Sequence, residues 1–336
     1  MADISIVVGT LDRPDYLKRC VESVIRETRR PFYLYITDAG SKAETIDYLK
    51  SIASERIIPI FVGRKLGQAR AYNDVFKAVD TPYVCWLSDD NEVVNNGLDL
   101  AADILERDER IGMIGLKVKD LQGPFVDAPY IGGLSTTGIL NVNQGMVRTR
   151  ALAAVSYFSE EFRDYGIDPD LTAKILLWGW DIVYTRPVAI HHYRLWETDK
   201  TSAKYALLEE RQKAYLELYD ETYRHAFRKS KQFWTAKGKA WEKIRQRLGE
   251  RYEHNSAGSF LGLIPRDWHN IFGGRYISLL DPLLHWGRPY YLRQRMPKYS
   301  ASASAIVFAH VLDRLKRRLT KQKTAELVPQ ASSSGD

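Results

Sequence analysis

Along the first two hundred residues the apolar positions switch repeatedly between two periods. Ile4-Ser5-Ile6-Val7-Val8 is a short β-branched run closed by Gly9, and it predicts a buried strand. Beyond it Leu17, Val21 and Val24 recur at helical spacing, with Cys20 and Ile25 beside them. Pro14 falls near the first turn of that helix and Asp12 offers its N-cap. A second strand is predicted over 33–36, closed by Asp38-Ala39-Gly40-Ser41, then a helix over 44–54. A third strand follows over 57–62, a helix over 69–79 and a fourth strand over 83–87. This alternation predicts an α/β fold with a mainly parallel central sheet flanked by helices. In such sheets ligands sit at the carboxyl ends of the strands.

The pattern changes near Thr201. Residues 202–250 contain no proline, are rich in Lys, Arg, Glu, Tyr and Trp, and read as one or two long helices. Residues 255–300 read as aromatic loops, with Ile264-Pro265-Arg266-Asp267-Trp268 and Trp286-Gly287-Arg288-Pro289-Tyr290-Tyr291. A last helix over 301–322 sets Phe308, Val311, Leu312, Leu315 and Leu319 on one face and Arg314, Arg317 and Lys321 on another. The Ser-rich end, 326–336, is expected to be disordered. The domain reading is therefore 1–200 for an α/β domain, 201–325 for a basic helical extension and 326–336 for a tail.

Charge follows the same division. Residues 1–200 carry 24 Lys and Arg against 29 Asp and Glu, a net −5, whereas 201–336 carry 25 against 13, a net +12. An acidic-leaning front half makes a poor nucleic-acid surface, so no nucleic-acid partner is expected. Cys20 and Cys85 fall in a helical and a buried-strand pattern, which makes them core residues and a reducing cytoplasm the expected compartment. No secretory leader is expected before the first strand, and no stretch reaches the roughly eighteen apolar residues of a spanning helix.

Chemistry gathers where the strands end. Asp89 and Asp90 directly follow the fourth strand, and adjacent carboxylates repel unless a cation or a raised pKa relieves them. A hard divalent ion with oxygen ligands does so and can also bridge a diphosphate. A solvated acidic turn is the competing reading. Asp38 serves equally as an Asx-turn with Gly40 and Ser41, and Arg70 as an ordinary cation at a helix start. Asp170 is placed as the N-cap of a helix over 171–177. Trp180, with Trp178, reads either as a sugar platform for the acceptor or as core.

Several ordered segments of residues 4–194 resemble the family 2 nucleotide-sugar glycosyltransferases, bacterial polysaccharide type, with the GT-A fold. Ile6-Val7-Val8-Gly9-Thr10-Leu11-Asp12-Arg13-Pro14 resembles the family's first strand and turn. Ile36-Thr37-Asp38-Ala39-Gly40-Ser41 resembles its second, and Leu66-Gly67-Gln68-Ala69-Arg70-Ala71-Tyr72-Asn73 the loop and helix start beside the diphosphate. Trp86-Leu87-Ser88-Asp89-Asp90-Asn91 stands where the family has Asp-x-Asp. Tyr165-Gly166-Ile167-Asp168-Pro169-Asp170-Leu171 stands at the segment holding the base, and Val188-Ala189-Ile190-His191-His192-Tyr193-Arg194 at the strand with a late histidine.

The resemblance implies a fold, a reaction and a set of residues. Thr10, Asp12, Arg13, Asp38, Gly67, Arg70 and Asp89 are expected on the nucleotide sugar, and Asp90 with His192 on Mg²⁺ or Mn²⁺. His192 is preferred to His191 because it alternates onto one strand face with Val188 and Ile190. Asp168 is expected to deprotonate the acceptor hydroxyl, which inverts the anomeric carbon in a single displacement. Trp180 is expected on the acceptor, a glycan or lipid-linked glycan at the inner face of the cytoplasmic membrane. The extension is expected to contact that membrane peripherally or to join a homo-oligomer. Two departures, Ser88 for the first acid of the motif and Ile167 for the acid before the base, sustain a rival reading: a nucleotide-sugar-binding scaffold without turnover. A sugar-nucleotide pyrophosphorylase would need a glycine-rich basic loop after the first strand, where only Gly9 occurs.

Overall fold

The computed structural model describes residues 2–123, 126, 131, 133, 134, 139–195, 197, 199–223, 226 and 287–295, with backbone alone at 133, 134, 291 and 292. The chain begins with β1 (Ile4–Thr10), α1 (Pro14–Glu27), β2 (Phe32–Asp38), α2 (Ala43–Ile52), β3 (Ile57–Phe61), α3 (Gln68–Phe76) and β4 (Tyr83–Ser88). It continues through β5 (Asn91–Val93), α4 (Gly97–Arg107), β6 (Ile111–Gly115), β7 (Val118–Gln122), β8 (Gly133–Leu134), β9 (Leu140–Asn141) and β10 (Gly145–Arg148). Then come α5 (Thr149–Ala154), α6 (Ile167–Leu177), β11 (Asp181–Thr185), β12 (Ile190–Tyr193), α7 (Ala203–Tyr223) and β13 (Tyr290–Gln294). Each predicted element over the first ninety residues is present.

Eight strands form the main sheet in the order β13-β11-β6-β10-β4-β1-β2-β3. Four of its seven pairings are parallel, with β10 and β13 running against their neighbours. On one side Ile4, Ile6, Val8, Leu34, Ile36 and Leu87 pack with Leu17, Val21 and Val24 of α1. On the other, Trp86, Tyr72, Phe76 and Phe158 stack edge to face or tilted, with centroids 5.5–6.3 Å apart. Each fully buried aliphatic or aromatic side chain contributes about 1.5–3 kcal/mol, and the two faces together hold the strand ends rigid. Cys20 and Cys85 are buried free thiols, as core residues should be. A small second sheet, β5-β12-β7, lies beside the end of β4.

Two helix starts differ from expectation. Asp12 does not cap α1: Arg13 holds the cap position without a side-chain bond, and Asp12 sits at φ 53°. Its carboxylate instead accepts the Lys42 N–H at 2.7 Å and its own N–H donates to Ser41 Oγ at 2.9 Å, which ties the first loop to the second. Asp170 does not cap α6 either. The helix begins at Ile167 behind Gly166, four residues earlier, and Pro169 lies inside its first turn. A proline there costs little, because first-turn amides have no helical partner to lose.

The boundary expected at residue 200 also moves. The first compact unit runs from Met1 to Arg295. Tyr215 of α7 stacks on Phe162 at 6.0 Å, and the Tyr223 hydroxyl donates to Asp170. β13, expected as loop, pairs antiparallel with β11 at the sheet edge. Arg293 of that strand and Arg295, just beyond it, both bind the buried Asp181, while Arg293 also reaches Asp108 at 2.7 Å. Arginines at alternate positions concealed the strand pattern. The remaining calls on the extension, including Trp268, the helix over 301–322 and the tail over 326–336, lie outside the described residues. Among the described residues no helix is long and apolar enough to cross a membrane.

Candidate active site

Parallel pairing brings the ends of β1, β2 and β4 level, with Thr10 opposite Asp38 and Gly9 opposite Ser88. These ends floor a cleft of about 550 Å³, closed by the starts of α3 and α6, by β12 and by α7. Tyr72 of α3 fastens the floor: its hydroxyl donates to Leu87 O at 2.7 Å and accepts from Gly9 N at 3.2 Å. Gly67 precedes α3 at φ 94°, and a Cβ there would come within 2.5 Å of the Arg163 side chain. The start of α3 is joined to the loop before α6 through Gln68 N to Asp164 Oδ1, 2.9 Å, and Ala69 N to Arg163 O, 2.8 Å.

Asp89 and Asp90 are both buried at this floor. Asp89 accepts Thr10 Oγ1 at 3.0 Å and Arg13 Nη1 at 3.0 Å, and the same Arg13 nitrogen reaches Asp90 Oδ2 at 3.2 Å. Burial pushes the Asp89 carboxyl up to about 6 even against the Arg13 charge. Burial acts on Asp90 too, but His192, Arg13 and Arg194 outweigh it and hold that carboxyl below its ordinary value. Asp90 Oδ1 is buried with no hydrogen-bond partner and lies 3.3 Å from His192 Nε2.

His192 is there because β12 pairs with β5 and sets it opposite Asn91, directly after Asp90. Burial works to lower the His192 pKa, yet the Asp120 and Asp90 carboxylates overcome it and hold the ring above its ordinary value. His191 turns the other way, toward Glu92 at 3.7 Å. Asp38 makes the expected Asx-turn, accepting Gly40 N at 3.0 Å and Ser41 N at 3.2 Å, and it also lines the cleft.

Asp168 lies in the first turn of α6 and opens onto the same cleft. Surrounding protein pushes its carboxyl up to about 8, opposed only by the Trp86 indole N–H, which also donates to Asn143 O at 3.0 Å. The neighbouring Ile167 is buried, so the residue before Asp168 faces the core rather than the cleft. Residues 5–151, which hold every strand end of the cleft floor, match the family model described as "Glycosyl transferase family 2".

Residues 5–151 are thus a family 2 glycosyltransferase domain. The O-antigen biosynthesis protein RfbC of Myxococcus xanthus is 23% identical over 219 residues, 56% of this chain and 17% of that protein. Protein CgeD of Bacillus subtilis is 30% identical over 95 residues, 26% of this chain and 22% of that one. The chain thus spans only a minor part of these relatives' length. Among solved structures, S. aureus TarS 1–349 in complex with UDP-GlcNAc gives a TM-score of 0.49 at 17% identity, covering 60% of this chain and 61% of that chain. The mannosyltransferase PcManGT of Pyrobaculum calidifontis, in complex with GDP-Man and Mn²⁺, gives 0.44 at 15%, covering 61% and 59%.

The cleft gathers Thr10, Arg13, Asp38, Gly67, Asp89, Asp90, Asp168 and His192, the last two beyond the residues that the family model matches. It leaves out three residues the sequence suggested. Asp12 binds the neighbouring loop, as above. Arg70 is exposed and does not line the cleft, because the turn of α3 that follows Gly67 points it to solvent. Trp180 lies beyond the far end of α6 from Asp168, packed against Gly112 with Arg150 over its ring at 5.3 Å.

Other residues enter unannounced. Arg64, Lys65, Arg194 and Arg211 bring positive charge to the cleft. Asp120, fully buried, accepts from His192 Nδ1 at 3.0 Å and Arg194 Nε at 2.8 Å. Its signal was an acid sharing the strand face of buried Val118, a position with no obvious partner nearby in sequence. Asp90 and His192 stand as a pair: among the described residues no group of three or more His, Cys, Asp or Glu is poised for a metal.

Proposed function

We propose that this protein transfers a sugar from a nucleoside-diphosphate sugar to a hydroxyl of a glycan or lipid-linked acceptor, with inversion at the anomeric carbon. The observation that carries this reading is Asp168: a half-buried carboxyl lining the cleft that also holds Asp38, Asp89 and Asp90, with its pKa pushed up to about 8 by the protein around it. Asp38, at the end of β2, lies where a nucleoside can be recognised, and Arg64, Lys65 and Arg211 supply charge for a diphosphate. Asp168 takes the proton of the acceptor hydroxyl. The hydroxyl oxygen then bonds to the anomeric carbon while the carbon–oxygen bond to the diphosphate breaks on the opposite face. A base with a pKa near the working pH combines availability with driving force.

Mg²⁺ or Mn²⁺ fits the Asp90–His192 pair. Asp90 Oδ1, buried without a hydrogen bond, is a hard oxygen donor, and His192 Nε2, 3.3 Å away, is a nitrogen donor beside it. Two protein ligands suffice where substrate phosphates and waters fill the remaining positions. Bound there, the ion supplies a Lewis acid for the leaving diphosphate.

The test is a panel of nucleoside-diphosphate sugars with Mn²⁺, reading release of the nucleoside diphosphate and the anomer of the product by NMR. Turnover with inversion, lost in chelator, is expected. Donor binding without any turnover would favour the scaffold reading that Ser88 and Ile167 suggested, and a retained anomer would contradict the single displacement. The +12 charge of residues 201–336 belongs to the same proposal, as a peripheral contact with anionic membrane. Basic residues at such a surface contribute about 1 kcal/mol each. Full-length protein should sediment with anionic vesicles at low salt; equal recovery with neutral vesicles would remove the membrane contact.

A further inference from the structure

Asp120 lies on β7, one strand away from the cleft, and its carboxylate is wholly buried. β7 runs parallel to β12 in a register that sets Asp120 beside His192. Its Oδ1 is 3.0 Å from His192 Nδ1, and its Oδ2 accepts Arg194 Nε at 2.8 Å. A carboxylate paired with an arginine stays ionised and can only accept, so the Nδ1 carries the hydrogen of that bond. With Nδ1 so held, Nε2 is the nitrogen whose proton a bound cation would displace, and it faces Asp90 Oδ1 at 3.3 Å.

We infer that Asp120 is a positioning residue for metal binding: it fixes the ring and tautomer of His192 so that Nε2 and Asp90 Oδ1 converge on one divalent cation. Arg194 fixes Asp120 in turn. The inference rests on the proposed metal-assisted transfer, which supplies the cation. A merely structural bridge between β7 and β12 is the alternative, and it is a costly one. Removing a carboxylate completely from water loses solvation that two partners commonly fail to return, and an apolar residue would join the strands as well. Carboxylates that orient a ligating histidine through its second nitrogen recur at metal sites, and their loss typically weakens metal binding about 10–100-fold.

The experiment measures Mn²⁺ affinity of the full chain by electron paramagnetic resonance of free Mn²⁺, alone and with saturating UDP or GDP. Asp120→Asn and Asp120→Ala are compared with wild type and with Glu92→Gln, which removes a charge that contacts His191, at 3.7 Å, rather than His192. Asp120→Asn is expected to weaken Mn²⁺ binding about 10-fold or more, and Glu92→Gln to leave it within about twofold, with circular dichroism unchanged. A second readout needs no variant at position 120. In ¹⁵N-histidine spectra of the wild type with Mg²⁺, the resonance missing in His192→Asn should report the Nδ1–H tautomer. Mn²⁺ bound by wild type and equally by both Asp120 variants would overturn the positioning role while leaving the metal reading intact. An Nε2–H tautomer, or equal losses in Asp120→Asn and Glu92→Gln, would overturn it too. Absence of Mn²⁺ binding by the wild type would overturn both readings.

Discussion

The two walls of the cleft are built by different means. One comes from residues 9–90, where the functional side chain ends a strand or follows it within two residues: Thr10 at the end of β1, Asp38 at the end of β2, Asp89 and Asp90 after β4. There the parallel sheet does the positioning, and side chains such as Asp38 bond chiefly to their own turn. The other wall comes from residues 118–223, and its groups are held by partners distant in sequence. His192 meets Asp120 and Asp90; Asp170 meets Ser159 and Tyr223. The strand-end wall therefore takes its positions from backbone, with only Asp89 and Asp90 also tied to Thr10, Arg13 and His192, whereas the opposite wall stands mainly on buried charge and hydroxyl contacts. Substitutions should cost stability mainly in the second.

The largest difference is expected at Asp170. Its fully buried carboxylate sits between Lys174, Ser159 and Tyr223, so Asp170→Ala takes one partner out of a buried ion pair and should cost about 3–5 kcal/mol. Asp38→Ala, on the strand-end wall, loses turn bonds alone and should cost about 1 kcal/mol. Thermal unfolding of both decides the matter, and equal losses would erase the contrast. Tyr223→Phe removes one hydroxyl from the same cluster and should cost about 1–2 kcal/mol, which would show that α7 is bound into the domain rather than appended to it.

Asp168 gives the contrast a pH signature. Its carboxyl is pushed up to about 8, above its ordinary value, so the folded chain holds an extra proton between roughly pH 4 and pH 8. Stability should fall as pH rises through that window, while transfer should rise as the carboxylate forms. Asp168→Asn should flatten the first trend and unfold at a higher temperature than wild type at pH 8. Coincident stability profiles for the two proteins from pH 5 to 9 would contradict the desolvated position. The smallest effects belong to Arg70→Ala and Trp180→Ala, which lie outside the cleft and should change donor affinity and rate by less than about twofold. A tenfold loss in either would mean that the cleft extends beyond the residues described.

The same division governs what could be read from sequence. Ile4 to Val8, the helical spacing of Leu17, Val21 and Val24, and the acids after β4 are local signals, and the strand-end wall was legible from them. Pro169 concealed the true start of α6, because a proline reads as a stop although it is harmless in a first turn. Arg293 and Arg295 concealed β13, since charged residues at alternate positions read as loop and their partner, Asp181, lies more than a hundred residues away in the chain. Asp120 stayed hidden because nothing near it in the chain announces His192. Trp180 and Arg70 fall outside the cleft for the opposite reason: a residue type suited to sugars or phosphates says nothing about which way its element turns.

The central claim is that Asp168 is the base of the transfer. Asp168→Asn keeps size and shape but removes basicity, and a positioned general base contributes a factor of about 10² to 10⁴ in rate. Transfer kinetics beside donor-binding calorimetry should show a kcat loss of that order with donor affinity within about twofold of wild type. Wild-type turnover in Asp168→Asn would contradict the account.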